Sequence, residues 1–342
     1  METVRLGRTG LVVNKTGFGA LPMQRIGMEE AKALVRRAVD AGINCIDTAR
    51  GYTDSEEKLG AALDPALRKK LVLATKAKSA GGEALMQSLH ASLKNLRTDY
   101  VDILQMHNPR QMPAPGDGTG CYEALLEARR AGKIRFIGLT AHSVDVAIQA
   151  ARSGLYDTVQ FPFSYLSNGK DLEVPGICRD ADVGFLAMKA LAGGLIRNIP
   201  AAFAFMRGYD AILALWGIQR MEELEEFLAL SAAPPVWDAA MEASVEKDRR
   251  ELGAEFCRGC GYCMPCPAEI DIAFVARVEF MLSRQPLQKL LDAEGRAKLA
   301  KAADCTKCGE CRCRCPYGLD TPDLVRRHME CFNNYLLRHG LA

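Results

Sequence analysis

Short apolar runs alternate with segments of helical periodicity along about the first 230 residues of the chain. Eight such runs predict strands, and each is followed by a segment in which apolar residues recur at helical spacing. Most of the runs are apolar without interruption, which is typical of parallel strands that are buried on both faces. The predicted strands cover Thr16–Ala20, Ile43–Asp47, Leu71–Thr75, Val101–Gln105, Ile134–Thr140, Asp157–Phe161, Val183–Met188 and Ala211–Trp216.

Eight strand–helix units over about 230 residues favour a (β/α)8 TIM barrel over a doubly wound sheet, which usually needs fewer units. No G-x-G-x-x-G stands between the first strand and the first helix, and Gly17–Gly19 alone is weak support for a dinucleotide fingerprint. The segment Arg5–Val13 reads as a short hairpin that caps the bottom of the barrel. The predicted helices cover Met28–Asp40, Ser55–Leu63, Gly82–Leu96, Tyr122–Ala131, a segment from Val144, Leu172–Asp180, Ala201–Met206 and Met221–Leu230.

A domain boundary is predicted near residue 235, where Ser231–Val236 is rich in residues that break helices and strands. Residues 1–235 would form the barrel, and residues 236–342 a helical linker followed by a small cysteine-rich domain. Trp237–Leu252 has a charged helical pattern, and further helices are predicted over Ala273–Leu282 and Leu287–Ala303. The whole chain is therefore predicted to be an α/β barrel with a small helical C-terminal domain.

Composition excludes several classes of protein. Apolar residues make up 49% of the 342 residues and charged residues 25%, which is ordinary for a globular protein and unlike a disordered chain. The net charge of +2 gives no electrostatic signature of nucleic-acid binding. No apolar run approaches the roughly 20 residues of a membrane helix, and the N-terminus lacks the apolar core of a secretory signal. We therefore expect a cytoplasmic protein with neither nucleic acid nor membrane as partner.

Cysteine is the one anomaly in the composition, because nine of the 13 cysteines lie in two short runs near the C-terminus. Without a secretion signal, reduced thiols that bind a metal or an iron–sulfur cluster are favoured over disulfides. The first run holds Cys257, Cys260, Cys263 and Cys266, followed by Pro267. The second holds Cys305, Cys308, Cys311, Cys313 and Cys315, followed by Pro316.

Without Cys313, the second run has the spacing C-x2-C-x2-C-x3-C-P of bacterial [4Fe–4S] ferredoxins, in which the fourth cysteine binds the other cluster. The runs thus suggest one ligand set of Cys257, Cys260, Cys263 and Cys315, and a second set of Cys305, Cys308, Cys311 and Cys266. Only two residues separate Cys263 from Cys266, so a second cluster and the role of Cys266 stay open. Zinc bound by four cysteines is the alternative, although Cys-Pro at the end of both runs favours iron–sulfur.

Four reactive residues follow consecutive predicted strands, at the end of the barrel where catalytic residues lie. Asp47 ends the second strand and Tyr52 follows it, Lys76 stands directly after the third, and His107 follows the fourth. A phenol titrates near ~10, which is high for an acid at neutral pH. A neighbouring ammonium would lower that pKa, a carboxylate would orient the ammonium, and a histidine could donate a hydrogen bond to a substrate carbonyl.

The segments IDTARGYTDSEEKLG, LATK and LQMHNP, with RLGRTGLVVNKTGFGA near the start, resemble the aldo-keto reductase superfamily. With the two cysteine runs, the chain is similar to the members of that superfamily that carry a C-terminal 4Fe-4S ferredoxin-type domain. The resemblance implies that Tyr52 is the proton donor, that Lys76 and Asp47 tune it, and that His107 orients the carbonyl. It also implies reduction of a small carbonyl compound, or oxidation of the alcohol, by an extended NADP(H) or NAD(H) bound over the barrel mouth.

The same resemblance implies a set of contacts to the dinucleotide. Thr140 and Gln160 would hold the carboxamide and Phe163 would stack on the nicotinamide ring. The pyrophosphate loop would include Lys189, Leu191 and Gly193, and the adenosine end Gly217, Gln219, Arg220 and Glu226. Ala141 and Phe227 stand where the family often has asparagine, which leaves dinucleotide affinity and the choice between NADP and NAD open.

The sequence thus predicts an NAD(P)H-dependent oxidoreductase whose clusters transfer electrons. A ferredoxin or flavodoxin is the candidate electron partner, since Lys307, Arg312 and Arg314 surround the second run against a single Glu310. A hydride carries two electrons and a cluster carries one, and the sequence shows no clear site for a flavin that could couple them. The alternative is a redox-sensing or electron-transfer protein with regulatory or structural clusters and little dinucleotide turnover in the barrel.

Overall fold

The computed structural model describes residues 1–78 and 80–341 and contains a closed barrel of eight parallel strands, which confirms the predicted TIM barrel. Each predicted barrel strand agrees with the observed one to within two residues at either end. An antiparallel hairpin comprises β1 (Thr3–Arg5) and β2 (Val12–Asn14). The barrel strands are β3 (Thr16–Gly19), β4 (Cys45–Asp47), β5 (Val72–Ala77), β6 (Val101–His107), β7 (Ile134–Thr140), β8 (Thr158–Pro162), β9 (Gly184–Met188) and β10 (Ile212–Gly217).

Helices surround the barrel and bury one apolar face against it. In α1 this face is formed by Ala31, Leu34, Val35 and Ala38, which recur at helical spacing and are buried. The barrel helices are α1 (Met28–Asp40), α2 (Ser55–Ala62), α3 (Pro65–Arg68), α4 (Gly82–Leu96), α5 (Cys121–Arg130), α6 (Val144–Arg152), α7 (Val174–Asp180), α8 (Ile199–Arg207) and α9 (Met221–Ala232). None of the helices in the described part of the chain is both long and apolar enough to cross a membrane.

The hairpin closes the amino-terminal end of the barrel, as its sequence predicts. Leu6 and Val13 are fully buried and belong to the same apolar cluster as Cys45, Val72 and Leu213, which lie in the first half of their strands. Because this end is filled with apolar side chains, a ligand can reach the barrel only at the carboxyl ends of the strands.

The C-terminal part is helical, with a second apolar core that includes Val275, Val278, Leu324 and Phe332. The helix α9 ends at Ala232 and the next begins at Ala239, while a domain boundary near 235 stays a prediction. The helices are α10 (Ala239–Leu252), α11 (Ile272–Val275), α12 (Val278–Arg284), α13 (Gln288–Leu291), α14 (Ala293–Ala300), α15 (Glu310–Cys313) and α16 (Thr321–His339).

The two helices predicted between the cysteine runs are wrong in length, because each is divided into two. Arg277 lies between α11 and α12 with φ −128° and ψ 13°. Gln285 ends α12 in an extended conformation, since the residue before a proline is disfavoured in the helical region. Asp292 starts α14 by accepting a hydrogen bond from the amide of Gly295 at 2.7 Å.

The C-terminal domain lies over the open end of the barrel. Arg25, which follows β3, donates from Nη1 to the carbonyls of Leu282 (2.6 Å) and Gln285 (3.0 Å). On another side of the mouth, Arg284 forms an ion pair of 3.0 Å with Glu223 of α9. These contacts place α12 and α13 above the carboxyl ends of the strands.

Candidate active site

The structure brings the four residues Asp47, Tyr52, Lys76 and His107 together. The ammonium of Lys76 donates to Oδ2 of Asp47 (2.5 Å), to the carbonyl of Thr48 (2.7 Å) and to the phenol oxygen of Tyr52 (3.3 Å). Because β4, β5 and β6 are neighbours in the barrel, the side chains at their ends converge. The rings of Tyr52 and His107 meet edge to face with centroids 6.0 Å apart.

Two glutamines complete the surroundings of Asp47. Gln105 donates to its Oδ1 at 3.0 Å and Gln160 to its Oδ2 at 3.2 Å. A buried carboxylate is stable only when it is paired and hydrogen-bonded, and Asp47 has both an ammonium and two amides. Gln105 was not predicted as a site residue, although a glutamine between Leu104 and Met106 near the carboxyl end of β6 was the available signal.

The pKa of the Tyr52 phenol is raised, whereas the sequence predicts that a neighbouring ammonium lowers it. Burial raises its pKa, the charge of Lys76 lowers it and the charge of Asp47 raises it, so that the pKa lies above the usual value of 10.0. Burial outweighs the ammonium, and burial is not visible in a sequence. A phenol with a raised pKa keeps its proton at neutral pH, which is the form that a proton donor requires.

Of the two basic side chains near the phenol, Lys76 is charged and His107 is neutral. Burial lowers the pKa of Lys76, but Asp47 and Tyr52 offset this and leave the pKa above 10.5, so the side chain stays charged. The pKa of His107 is lowered to about 3 by burial and by the charges of Lys76, Lys78 and Lys289. A neutral imidazole has one N–H donor, which suits a hydrogen bond to a carbonyl oxygen.

A cavity of about 520 Å³ opens above these residues, within the ~300–1,000 Å³ of small-molecule sites. The asparagine that follows β6, Asn108, and His142 after β7 also contribute to its wall. Of the residues predicted to contact a dinucleotide, six line the cavity: Thr140, Gln160, Lys189, Leu191, Gly193 and Gly217. The structure therefore gathers most of the predicted cofactor contacts around Asp47, Tyr52, Lys76 and His107, which we call the tetrad.

The remaining predicted cofactor residues lie elsewhere. Phe163 is buried behind the cavity in a group of aromatic rings with Phe185, Phe205 and Tyr209, and it is not among the lining residues. Its ring contacts these three neighbouring aromatic rings and does not line the cavity.

At the predicted adenosine end, Gln219, Arg220 and Glu226 do not line the cavity either. Glu226 is exposed on α9, one turn beyond Glu223. The carboxylate that contacts these residues is Glu223. It accepts a hydrogen bond from the amide of Gln219 at 2.9 Å and forms ion pairs with both Arg220 and Arg284.

The C-terminal domain contributes a wall of the cavity that the sequence analysis missed. Arg277, Phe280, Arg284, Gln285 and Lys289 line the cavity from above. We call these five residues the roof. The described residues that line the cavity include six lysines and arginines but one carboxylate, Asp47, which is already paired with Lys76. A cavity with this charge balance suits a ligand that carries phosphates.

One buried acceptor fits a bound dinucleotide, and one glycine lets the roof pack closely on the barrel. The carbonyl oxygen of Gln160 is buried and has no hydrogen-bond partner among the residues that the structure describes, so it is free to accept from a carboxamide. In the loop after β9, a Cβ on Gly193 would lie 2.9 Å from the ring of Phe280, so only glycine allows the roof to pack this closely. The residues present therefore fit the cofactor that the sequence suggests.

The two cysteine runs are distant in sequence but lie close together in the structure. Cys257, Cys260, Cys263 and Cys315 line one small cavity, and Cys266, Cys305 and Cys311 lie close enough for their charges to interact. Burial raises the pKa of the Cys263 thiol to about 12, so metal binding would have to displace its proton. Cys308 and Cys313 are exposed. Four thiols around one cavity fit the donor set of a [4Fe–4S] cluster.

Comparison with known families covers both parts of the chain. The family model described as Aldo/keto reductase family matches residues 15–204, and the model described as 4Fe-4S dicluster domain matches residues 256–320. The first match alone includes more than half of the chain, and it covers Asp47, Tyr52, Lys76 and His107.

Individual relatives are similar to part of the chain. An L-galactose dehydrogenase of Arabidopsis thaliana is 31% identical over 214 residues, which cover 57% of this chain and 67% of that protein. A methylglyoxal reductase of Salmonella typhimurium is 36% identical over 205 residues, covering 53% and 75%. The chain spans about half to three quarters of the length of its curated relatives. A crystal structure from Klebsiella pneumoniae in complex with NADPH shares the fold, with a TM-score of 0.59 at 24% identity over 72% of this chain and 94% of that one.

Proposed function

Because the chain belongs to the aldo/keto reductase family, we propose that it is an NAD(P)H-dependent oxidoreductase that interconverts a small aldehyde or ketone and its alcohol. The buried chain of contacts from Asp47 through Lys76 to Tyr52, at the base of the cavity and beside His107, is the observation that carries this proposal. When bound, the reduced nicotinamide supplies a hydride to the carbonyl carbon.

The residues of this chain supply the proton and the orientation. His107 donates a hydrogen bond to the carbonyl oxygen, and the same oxygen faces the phenol of Tyr52. As the hydride arrives, the oxygen becomes an alkoxide and takes the phenolic proton, so that the products are an alcohol and the oxidised dinucleotide. The fixed charge of Lys76 stabilises the phenolate that is left, and Asp47 holds that charge in place.

The dinucleotide would be held by residues from both domains. Thr140 and Gln160 would hold the carboxamide, and Lys189, Leu191, Gly193 and Gly217 the phosphates and the adenosine end, together with Arg284 of the roof. The cavity is not lined by Gln219, Arg220 or Glu226, so these residues would act on the dinucleotide only indirectly, through the surroundings of Glu223. Phe163 is left out of the proposed set because it lies away from the cavity.

The first test is consumption of NADPH with benzaldehyde as a generic substrate. With NADPH held at saturation, we expect kcat/KM for benzaldehyde to stay level from about pH 8 to pH 5, since His107 has a pKa of about 3 and remains neutral there. Saturation is needed because burial lowers the pKa of Lys189, a proposed contact of the dinucleotide, to about 7. Initial rates are followed by nicotinamide absorbance, and the loss of NADPH without protein is subtracted at each pH. Absence of reduction would refute the function, and a protonation step between about pH 6 and 7 would refute the neutral state of His107.

The second part of the proposal concerns the C-terminal domain, predicted over residues 236–342, which includes the 4Fe-4S dicluster match at residues 256–320. We infer two [4Fe–4S] clusters, one bound by Cys257, Cys260, Cys263 and Cys315 and the other by Cys305, Cys308, Cys311 and Cys266. Such clusters transfer electrons one at a time.

A ferredoxin or flavodoxin remains the proposed electron partner. The basic patch for it is weaker than the sequence suggests, because Arg312 pairs with Asp320 at 3.3 Å and Arg314 with Glu310.

Metal content tests the ligand sets. Protein purified without oxygen should contain about eight iron and eight acid-labile sulfide per chain. Replacing Cys308 with serine should remove about half of both, since one set loses a ligand. Cys313→Ser is the matched control, because Cys313 is an equally exposed cysteine of the same run and should leave the iron content as it was. Zinc without sulfide would contradict the clusters, and equal losses in both variants would contradict the ligand sets.

A further inference from the structure

Lys289 of the roof lies beside the reacting end of the cavity. Its ammonium donates to the carbonyl of Gly51, the residue before Tyr52, and to the side-chain oxygen of Gln24, both at 3.4 Å. It is also close enough to His107 for its charge to lower the pKa of the imidazole. A cation from the C-terminal domain therefore stands next to the groups that are proposed to bind the carbonyl.

Lys78 adds a second cation at the same end. It follows β5, lines the cavity and acts on His107 in the same way. Among the ion pairs of the described residues, neither Lys78 nor Lys289 has a carboxylate partner, whereas Arg284 of the same roof is paired with Glu223. Burial lowers the pKa of the Lys289 ammonium, and a bound anion would offset the cost of burying that charge.

These lysines are separate from the end at which the dinucleotide phosphates are proposed to lie. That end is marked by Arg284, whose Nε would lie 4.0 Å from a Cβ placed on the loop residue Gly194 and whose guanidinium pairs with Glu223. Lys289 contacts the loops after β3 and β4 instead, next to the phenol. An anion between Lys78 and Lys289 would thus belong to the molecule that is reduced.

We propose that Lys289 and Lys78 bind an anionic group of the substrate, so that the preferred substrates are aldehydes or ketones that carry a carboxylate. This inference rests on the proposed reductase function and names its substrate class. It also gives the C-terminal domain a direct part in specificity, because Lys289 comes from that domain.

The test compares two aldehydes that differ in charge at one end, 4-carboxybenzaldehyde and its methyl ester. We expect the wild-type protein to prefer the acid. In Lys289→Met, kcat/KM for the acid should fall about 10- to 100-fold, as for loss of a charge-assisted hydrogen bond, with a much smaller loss for the ester. Lys289→Arg should restore most of the preference, and Lys78→Met, in the barrel, should lower it independently.

Lys301→Met serves as the control, since Lys301 lies in the same domain, outside the lining of the cavity, and should leave the acid-to-ester ratio as it was. Equal losses for acid and ester in both lysine variants would overturn the inference. A higher dissociation constant for NADPH together with an unchanged acid-to-ester ratio would overturn the inference as well, because the two lysines would then bind the dinucleotide. If the wild-type protein reduces the ester without preferring the acid, only this inference fails, whereas reduction of neither aldehyde refutes the function itself.

Discussion

Replacing Tyr52 with phenylalanine is expected to lower kcat for aldehyde reduction by about 10²–10⁴-fold, the usual contribution of general acid catalysis. The substitution removes the proton but keeps the ring, so the edge-to-face contact with His107 is retained. Because the proton is needed only as the alkoxide forms, the loss belongs to the transition state. Steady-state kinetics with benzaldehyde should therefore show the loss in kcat, and the dissociation constant of NADPH should change little.

Two further variants make this result specific. Lys76→Met should act in the same direction, since the phenolate then loses the ammonium 3.3 Å away. Tyr122→Phe is the matched control, because Tyr122 is a buried tyrosine whose hydroxyl bonds the carbonyl of Leu155 outside the cavity. Wild-type kcat in Tyr52→Phe would show that the proton donor has been assigned to the wrong residue. Iron content should be equal in all three proteins, since no cysteine is touched.

Asp171→Ala is expected to destabilise the protein by about 3–5 kcal/mol, the usual cost of breaking a buried ion pair from one side. Asp171 and Arg258 are 1% and 2% exposed, and Nε of the arginine donates to Oδ2 of the aspartate at 3.1 Å. Tyr317 donates to the other carboxylate oxygen at 3.1 Å and stacks on the guanidinium. Removing the carboxylate leaves the guanidinium buried without its counter-ion.

Thermal unfolding with iron release as a second readout measures this effect. Asp180→Ala is the control, because its pair with Arg179 is exposed and is worth at most about 1 kcal/mol. Asp171→Asn should fall between the two, since the amide can still accept hydrogen bonds. If Asp171→Ala unfolds at the same temperature as Asp180→Ala, the buried pair does not anchor the C-terminal domain.

The fold and the tetrad could be predicted because their signals are local. Uninterrupted apolar runs such as Leu71–Ala74 indicate buried parallel strands, and the closed barrel brings the ends of neighbouring strands together. Asp47, Lys76 and His107 therefore meet wherever such strands form a barrel. Their positions follow from strand ends alone, without knowledge of the loops.

The roof and the electrostatics could not be predicted, because they depend on how two domains pack. Arg277 and Lys289 are single basic residues in or beside short helices, and such residues usually face solvent. Phe163 follows a strand end as the tetrad residues do, yet neighbouring rings bury it away from the cavity. The raised pKa of Tyr52 also depends on burial, which arises only in the folded protein.

The crossed ligand sets have a consequence for the unfolded chain. Cys263 and Cys315 belong to different runs but line one cavity, and the helices that carry the roof lie between them in sequence. A cluster bound by both would cross-link the chain as a disulfide does and close a loop of roughly 50 residues, which lowers the conformational entropy of the unfolded state. Cluster assembly would thereby hold Lys289 and Arg284 over the barrel, and the completeness of the catalytic cavity would depend on the metal content of the neighbouring domain.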